Sequence, residues 1–168
     1  MEAAGAGAAV ARSLKKAVVV FVEARQASFL ISTDPARLDV QAIHAYLTRS
    51  YWAAGIPLET VQRCIEGAIC FGVYDDGRQI GFARVITDRA TFAYLADVYI
   101  LESHQGHGLG KWLMSVIMSH PDLQGLRRFS LATKDAHGLY AQFGFTPLLA
   151  PDRHMEIARP NIYRSGGT

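Results

Sequence analysis

Cysteine is scarce in this chain: only Cys64 and Cys70 occur among 168 residues, each inside an apolar segment. Two such thiols suit a reducing compartment better than a disulfide scaffold, and the cytoplasm is the expected location. The six histidines are scattered, no Cys/His cluster has zinc-ligand spacing, and no metal is expected. Excess charge of one sign is also missing. Lys and Arg together number 17 against 15 Asp and Glu, a net charge of +2, which leaves no general nucleic-acid footprint. Long hydrophobic runs are absent too: Ala17 to Val22 is too short to span a bilayer, and no later stretch is long and uncharged, so no membrane partner is expected.

Two familiar phosphate loops are lacking. A Walker loop needs glycine five positions before the glycine of its Gly-Lys and a hydroxyl residue after the lysine, whereas Gln105 stands five before Gly110 and Trp112 follows Lys111. The dinucleotide fingerprint G-x-G-x-x-G fails because its third glycine comes one residue early.

What is present is a half-hydrophobic chain of about one domain's length. The Ala/Gly-rich start, with several basic residues, resembles an organelle transit segment only in part, and is read as a flexible lead over 1–16 followed by a short strand. The main domain is expected over 17–160, with a frayed tail over 161–168.

Phe29 to Thr33 reads as a strand, and Asp34-Pro35 supplies a cap for a helix containing Leu38, Ile43, Tyr46 and Leu47. A second helix runs through Val61 and Ile65 and stops at Gly67. Ala68 to Tyr74 and Gln79 to Thr87 form a hairpin across Asp75-Asp76-Gly77-Arg78, and Thr91 to Leu101 adds a third antiparallel strand. A helix over Gly110 to His120, a strand over Arg128 to Ala132, a helix over Asp135 to Phe143 and a last strand over His154 to Ile157 complete the reading. The sheet is expected to be antiparallel early and parallel across the Gly110 helix.

Between the third antiparallel strand and that helix lies Gln105-Gly106-His107-Gly108-Leu109-Gly110-Lys111. Glycine permits positive φ and close approach, and the free N–H groups of a helix start attract anions, so the segment suits a diphosphate. His107 and Lys111 add positive charge there.

In sequence and position this segment resembles the [Q/R]-x-x-G-x-[G/A] signature of the GNAT superfamily of acetyl-CoA-dependent N-acetyltransferases. Ala136-His137-Gly138-Leu139-Tyr140-Ala141-Gln142-Phe143-Gly144-Phe145 resembles that family's second cofactor motif, A-x-x-L-Y-x-x-x-G-F. The likeness covers roughly Phe29 to Ile157. It implies a single-domain α/β (α+β) fold, with a mixed sheet of six to seven strands flanked by about four helices.

The resemblance implies acetyl transfer from acetyl-CoA to a primary amine by direct attack, most simply on a small molecule. Cofactor contacts would come from Val98, Tyr99, Ile100, Gln105, Gly106, His107, Gly108, Leu109, Gly110, Lys111, Thr133 and Ala136. Tyr140 matches the tyrosine that protonates the departing thiolate. Asp97 sits in LADVYI, similar to the L-x-D-x-Y-V of small-molecule acetyltransferases, and is open to three roles: ammonium anchor, base through water, or partner of Arg84. Tyr51, Trp52 and Tyr94 are candidate acceptor contacts, with Arg63 behind them. Thr133 stands where the family often has Asn, and Glu102 where it usually has Pro. Other readings stay open: a silent acyl-CoA-binding module, acetylation of protein amino groups, a cysteine relay, and a homodimer.

Overall fold

A computed structural model describes residues 20–164. Its strands are β1 (Glu23–Gln26), β2 (Phe29–Ser32), β3 (Ile69–Asp75), β4 (Arg78–Thr87), β5 (Phe92–Ile100) and β6 (Arg128–Leu131). The helices are α1 (Val40–Leu47), α2 (Leu58–Glu66), α3 (Leu109–Met118) and α4 (His137–Ala141). The strands form one mixed sheet in the order β1-β2-β3-β4-β5-β6, antiparallel up to β5 and parallel between β5 and β6.

Local chemistry accounts for most boundaries. Asp76 and Gly77 at φ 46° and 82° turn β3 into β4, as an Asp-Gly hairpin requires. Asp34-Pro35 opens only a 3-10 turn, Pro35–Arg37, because Leu38 returns to extended backbone at ψ 128°. The helix itself starts at Val40, where Asp39 Oδ1 accepts from the Ala42 N–H at 2.9 Å.

Two expected strands differ. Val20–Val22 are not strand, and Glu23–Gln26 instead pairs with Phe29–Ser32; residues 17–19 lie outside the described residues. His154–Ile157 also forms no strand: Met155 and Ile157 are 98% and 90% exposed, and the alternation of HMEI meets no partner ladder. A two-residue period becomes a strand only where a neighbouring strand takes up its backbone groups.

The sheet buries both faces. On one, Phe71, Val73, Ala83 and Leu95 pack against Leu113, Met114 and Ile117 of α3 and Tyr140 of α4. On the other, Cys70, Phe82 and Tyr99 meet Ile43, Leu47 and Val61 of α1 and α2. Strands with both faces covered need continuous apolar runs, which explains ICFGVY in β3.

Candidate active site

The site begins with an irregularity in β5. Phe82 pairs with Tyr99 and Arg84 with Ala96, so Ala83 faces two residues, Asp97 and Val98. Asp97 takes the left-handed conformation at φ 55°, which aspartate tolerates better than most side chains. The bulge bends β5, and its pairing with β6 ends at Leu95 and Leu131. Beyond that point the β6 side of β5 is open. Leu101 donates its N–H to Ile80 O at 2.8 Å, so the alternation of extended backbone turns the Ile100 N–H towards the gap. Gln105 Nε2 donates to Ile100 O at 3.0 Å, which fixes the strand end and leaves that amide facing the opening.

The glycine turn follows directly. Gly106 and Gly108 lie at φ 81° and 75°, and a Cβ at either would meet no atom. Backbone conformation alone therefore demands glycine there. Gly108 is the N-cap of α3 and supplies no side-chain hydrogen bond, so the first N–H groups of this helix are uncapped, unlike those of α1. Uncapped donors, an open turn and a neighbouring gap in the sheet fit a diphosphate joined to an amide-bearing arm.

A single cavity of about 1210 Å³ joins these parts. Val98, Tyr99, Ile100, Gln105, Gly106, Gly108, Leu109, Gly110, Thr133, Ala136 and Tyr140 all line it, together with Asp97, Tyr51, Trp52 and Tyr94. His107, Lys111 and Arg63 do not. His107 Nδ1 instead lies 3.1 Å from its neighbour Gln105 O. Among the described residues no group of three or more His, Cys, Asp or Glu could hold a metal ion.

Tyr140 is 8% exposed, and its ring lies against Phe145 with centroids 6.1 Å apart at 72°. Burial, aided by Tyr51 and Asp135, raises its phenol above the usual range, so it stays protonated at neutral pH. Thr133 Oγ1 accepts from the Ala136 N–H at 3.0 Å, the task an asparagine side chain could equally perform. Asp97 takes the ion-paired alternative: Arg84 Nε donates to its Oδ2 in a largely buried pair, while Trp52 Nε1 donates to Oδ1 at 2.9 Å. Glu102 pairs with Arg49 at 3.2 Å across an exposed surface, which turns its charge towards a cation. Its carboxyl is lowered by its own backbone N–H first and by Arg49 second.

Sequence reasoning missed Tyr46, Arg49, Lys134 and Tyr163. Tyr46 stacks on Tyr99 with centroids 3.7 Å apart, and the Arg49 guanidinium lies 4.6 Å from the Tyr46 ring. Lys134 Nζ approaches the Tyr51 ring to 5.5 Å. Tyr163 lines the cavity from the C-terminal segment, where its carbonyl would lie 2.7 Å from a Cβ on Gly55. The adjacent apolar pair Ile162-Tyr163 near the C-terminus was the available signal.

Known proteins resemble this chain in sequence and in fold. Residues 66–147 match the family model of the acetyltransferase (GNAT) domain. A proposed acetyltransferase of Gibberella zeae is 37% identical over 137 residues, covering 68% of this chain and 76% of its own length. A crystal structure of a proposed GNAT-family acetyltransferase from Xanthomonas campestris is 56% identical, with a TM-score of 0.80, covering 82% of this chain and 97% of that one. A probable acetyltransferase from Staphylococcus aureus, 27% identical, gives a TM-score of 0.61 over 78% of this chain and 99% of its own.

Proposed function

Because the chain belongs to the GNAT acetyltransferase family, we propose that it transfers the acetyl group of acetyl-CoA to the nitrogen of a small primary amine by direct attack. One observation carries the reading: the uncapped start of α3, the open side of β5 and the buried Tyr140 phenol all border one cavity. Anion site, amide-binding edge and proton donor thus meet within reach of a single extended molecule.

Acetyl-CoA supplies an activated acyl carbon and a good thiolate leaving group. The N–H groups at the glycine turn hold its diphosphate, and the open edge of β5 at Val98 and Ile100 aligns its amide arm. The Ile100 N–H faces the acetyl oxygen and stabilises the negative charge that develops there. Tyr140 donates its proton to the departing sulfur, a role that requires the protonated phenol its burial maintains.

Asp97 works as a positioning residue. With Arg84 on one oxygen and Trp52 on the other, its carboxylate holds the α1–α2 connection against the bulge. The amine loses its proton to water, since both oxygens of the Asp97 carboxylate are already taken by Arg84 and Trp52.

Tyr140→Phe is expected to reduce kcat about 100-fold, the lower end of general-acid contributions, and to leave acetyl-CoA affinity nearly unchanged. Thiol release with an amine panel and calorimetric titration with acetyl-CoA measure the two quantities. Binding without thiol release from any amine would identify the protein as a silent acyl-CoA-binding module.

A further inference from the structure

The aromatic residues of this chain are sorted in a way that cofactor binding does not require. Six of the seven tyrosines line the cavity, Tyr74 being the exception, and Trp52 joins them, while none of the eight phenylalanines does. Phenylalanines fill the cores instead, as at Phe71 and Phe82.

Not all of these rings are available. Tyr46 is taken up by Tyr99 and Arg49, and Tyr140 belongs to the thiolate end. Tyr51 and Trp52 remain 54% and 40% exposed although they stand on the cavity wall. Their centroids are 5.0 Å apart and their planes meet at 82°, which makes a corner. The indole N–H is already engaged by Asp97, so the Trp52 ring is held in place and offers only apolar surface. A flat ring set in this corner can stack on one wall and meet the other edge-on, the two arrangements aromatic pairs prefer.

Charge at this end is partly paired off: Lys134 Nζ lies 5.5 Å over the Tyr51 ring, and the carboxylates opposite it are already engaged. Asp97 and Glu102 each carry an arginine, so a second ammonium on the acceptor would meet carboxylates already neutralised. An acceptor carboxylate would meet guanidinium groups already paired and the Lys134 ammonium that lies over the outer ring of the corner. Asp135 also borders the cavity, on the segment leading into α4, where its charge acts on Tyr140.

We propose that the acceptor is an arylalkylamine, a primary amine on a short alkyl tether whose flat ring occupies the corner between Tyr51 and Trp52. The inference rests on the acetyl-transfer reading above. In the reaction the ammonium releases one proton to water, and the free amine forms an N–C bond to the acetyl carbon as the C–S bond breaks. The nitrogen then loses a second proton to solvent and keeps one as the amide N–H. The sulfur accepts a proton from Tyr140, which regains one from solvent. The products are an N-acetyl amide, free CoA thiol and one net proton.

The test is thiol release by the full chain with acetyl-CoA and matched amines: phenethylamine and tryptamine, hexylamine without a ring, and spermidine with extra cations. The aryl amines are expected to show kcat/KM at least about tenfold above hexylamine and spermidine, and Trp52→Ala to remove most of that advantage, read as the ratio of aryl amine to hexylamine kcat/KM within the same variant. Trp52→Phe, which keeps a ring without the N–H, is expected to retain part of the preference. Hexylamine or spermidine matching the aryl amines overturns this inference and leaves acetyl transfer standing. An aryl preference unchanged in a folded Trp52→Ala protein overturns it as well. No turnover with any amine overturns both readings.

Discussion

At Asp97 one side chain meets three demands. The bulge needs a residue that accepts positive φ, Arg84 needs a counter-charge inside the fold, and Trp52 needs an acceptor. Removing the carboxylate strands a buried guanidinium, and Asp97→Ala is expected to cost about 3–5 kcal/mol of stability for that reason. Asp97→Asn keeps the tolerance for left-handed backbone and the Trp52 acceptor, so its cost is expected to be smaller. Adding Arg84→Met to Asp97→Ala removes the stranded charge and is expected to restore part of the loss. Urea unfolding of the three variants measures this, and a double variant less stable than Asp97→Ala would contradict the stranded-charge account. The sequence could pair Asp97 with Arg84 because both lie on adjacent strands. It could not show that the pair occupies the carboxylate, since that depends on a one-residue bulge with no glycine to mark it.

The glycine turn and α3 separate folding demands from ligand demands at the scale of an element. Gly106 and Gly108 are required by their φ angles, whereas Gly110 lies within the helix and a Cβ there would come no closer than 3.9 Å to Leu139. Gly110→Ala is therefore expected to raise the stability of the free protein by up to about 1 kcal/mol while weakening acetyl-CoA binding, because a methyl group would crowd the ligand's approach. Gly108→Ala is expected to lower both, the strain amounting to about 1–2 kcal/mol. Thermal unfolding without ligand and calorimetry with acetyl-CoA separate the two effects; a Gly110→Ala protein that binds normally would place the ligand elsewhere. Much of this element was legible: strand, glycine turn and apolar helix each leave a local mark, and so does the Asp-Gly hairpin. The failures share one cause. His154–Ile157 and, within the described residues, Val20–Val22 carry strand-like residues, but a strand exists only through its partner, and partners are set by the whole sheet. Tyr46, Lys134 and Tyr163 were missed on the same ground, because their meeting in one cavity is a tertiary event.

Buried titratable groups set the pH range in which the whole molecule is most stable. His120 is buried against Phe71, and its Nδ1 accepts from the Asp122 N–H at 3.2 Å, which requires the neutral ring. Burial lowers its pKa, so its contribution is present above the unfolded value of about 6.5 and is lost as pH falls through the lower folded value. On the alkaline side Cys70 acts first. Its thiol donates to Ile65 O at 3.6 Å, and burial pushes it up to about 12. The unfolded thiol ionises near about 8.5, so stability is complete below that pH and declines as pH rises towards the folded value. The Tyr74, Tyr99 and Tyr140 phenols are also raised by burial, and they add to the decline only above about 10, where unfolded tyrosine ionises. Urea midpoints are therefore expected to be flat between about pH 6.5 and 8.5 and to fall on both sides. Cys70→Ala lowers the plateau by opening a small cavity, and it is expected to move the start of the alkaline decline from about 8.5 to about 10, where only the tyrosines remain. A variant whose decline still begins near 8.5 would assign the alkaline limb to another group. Because Cys70 packs under α2 on the sheet face that carries Tyr99, the same titration reports on the core supporting the acceptor side of the cavity.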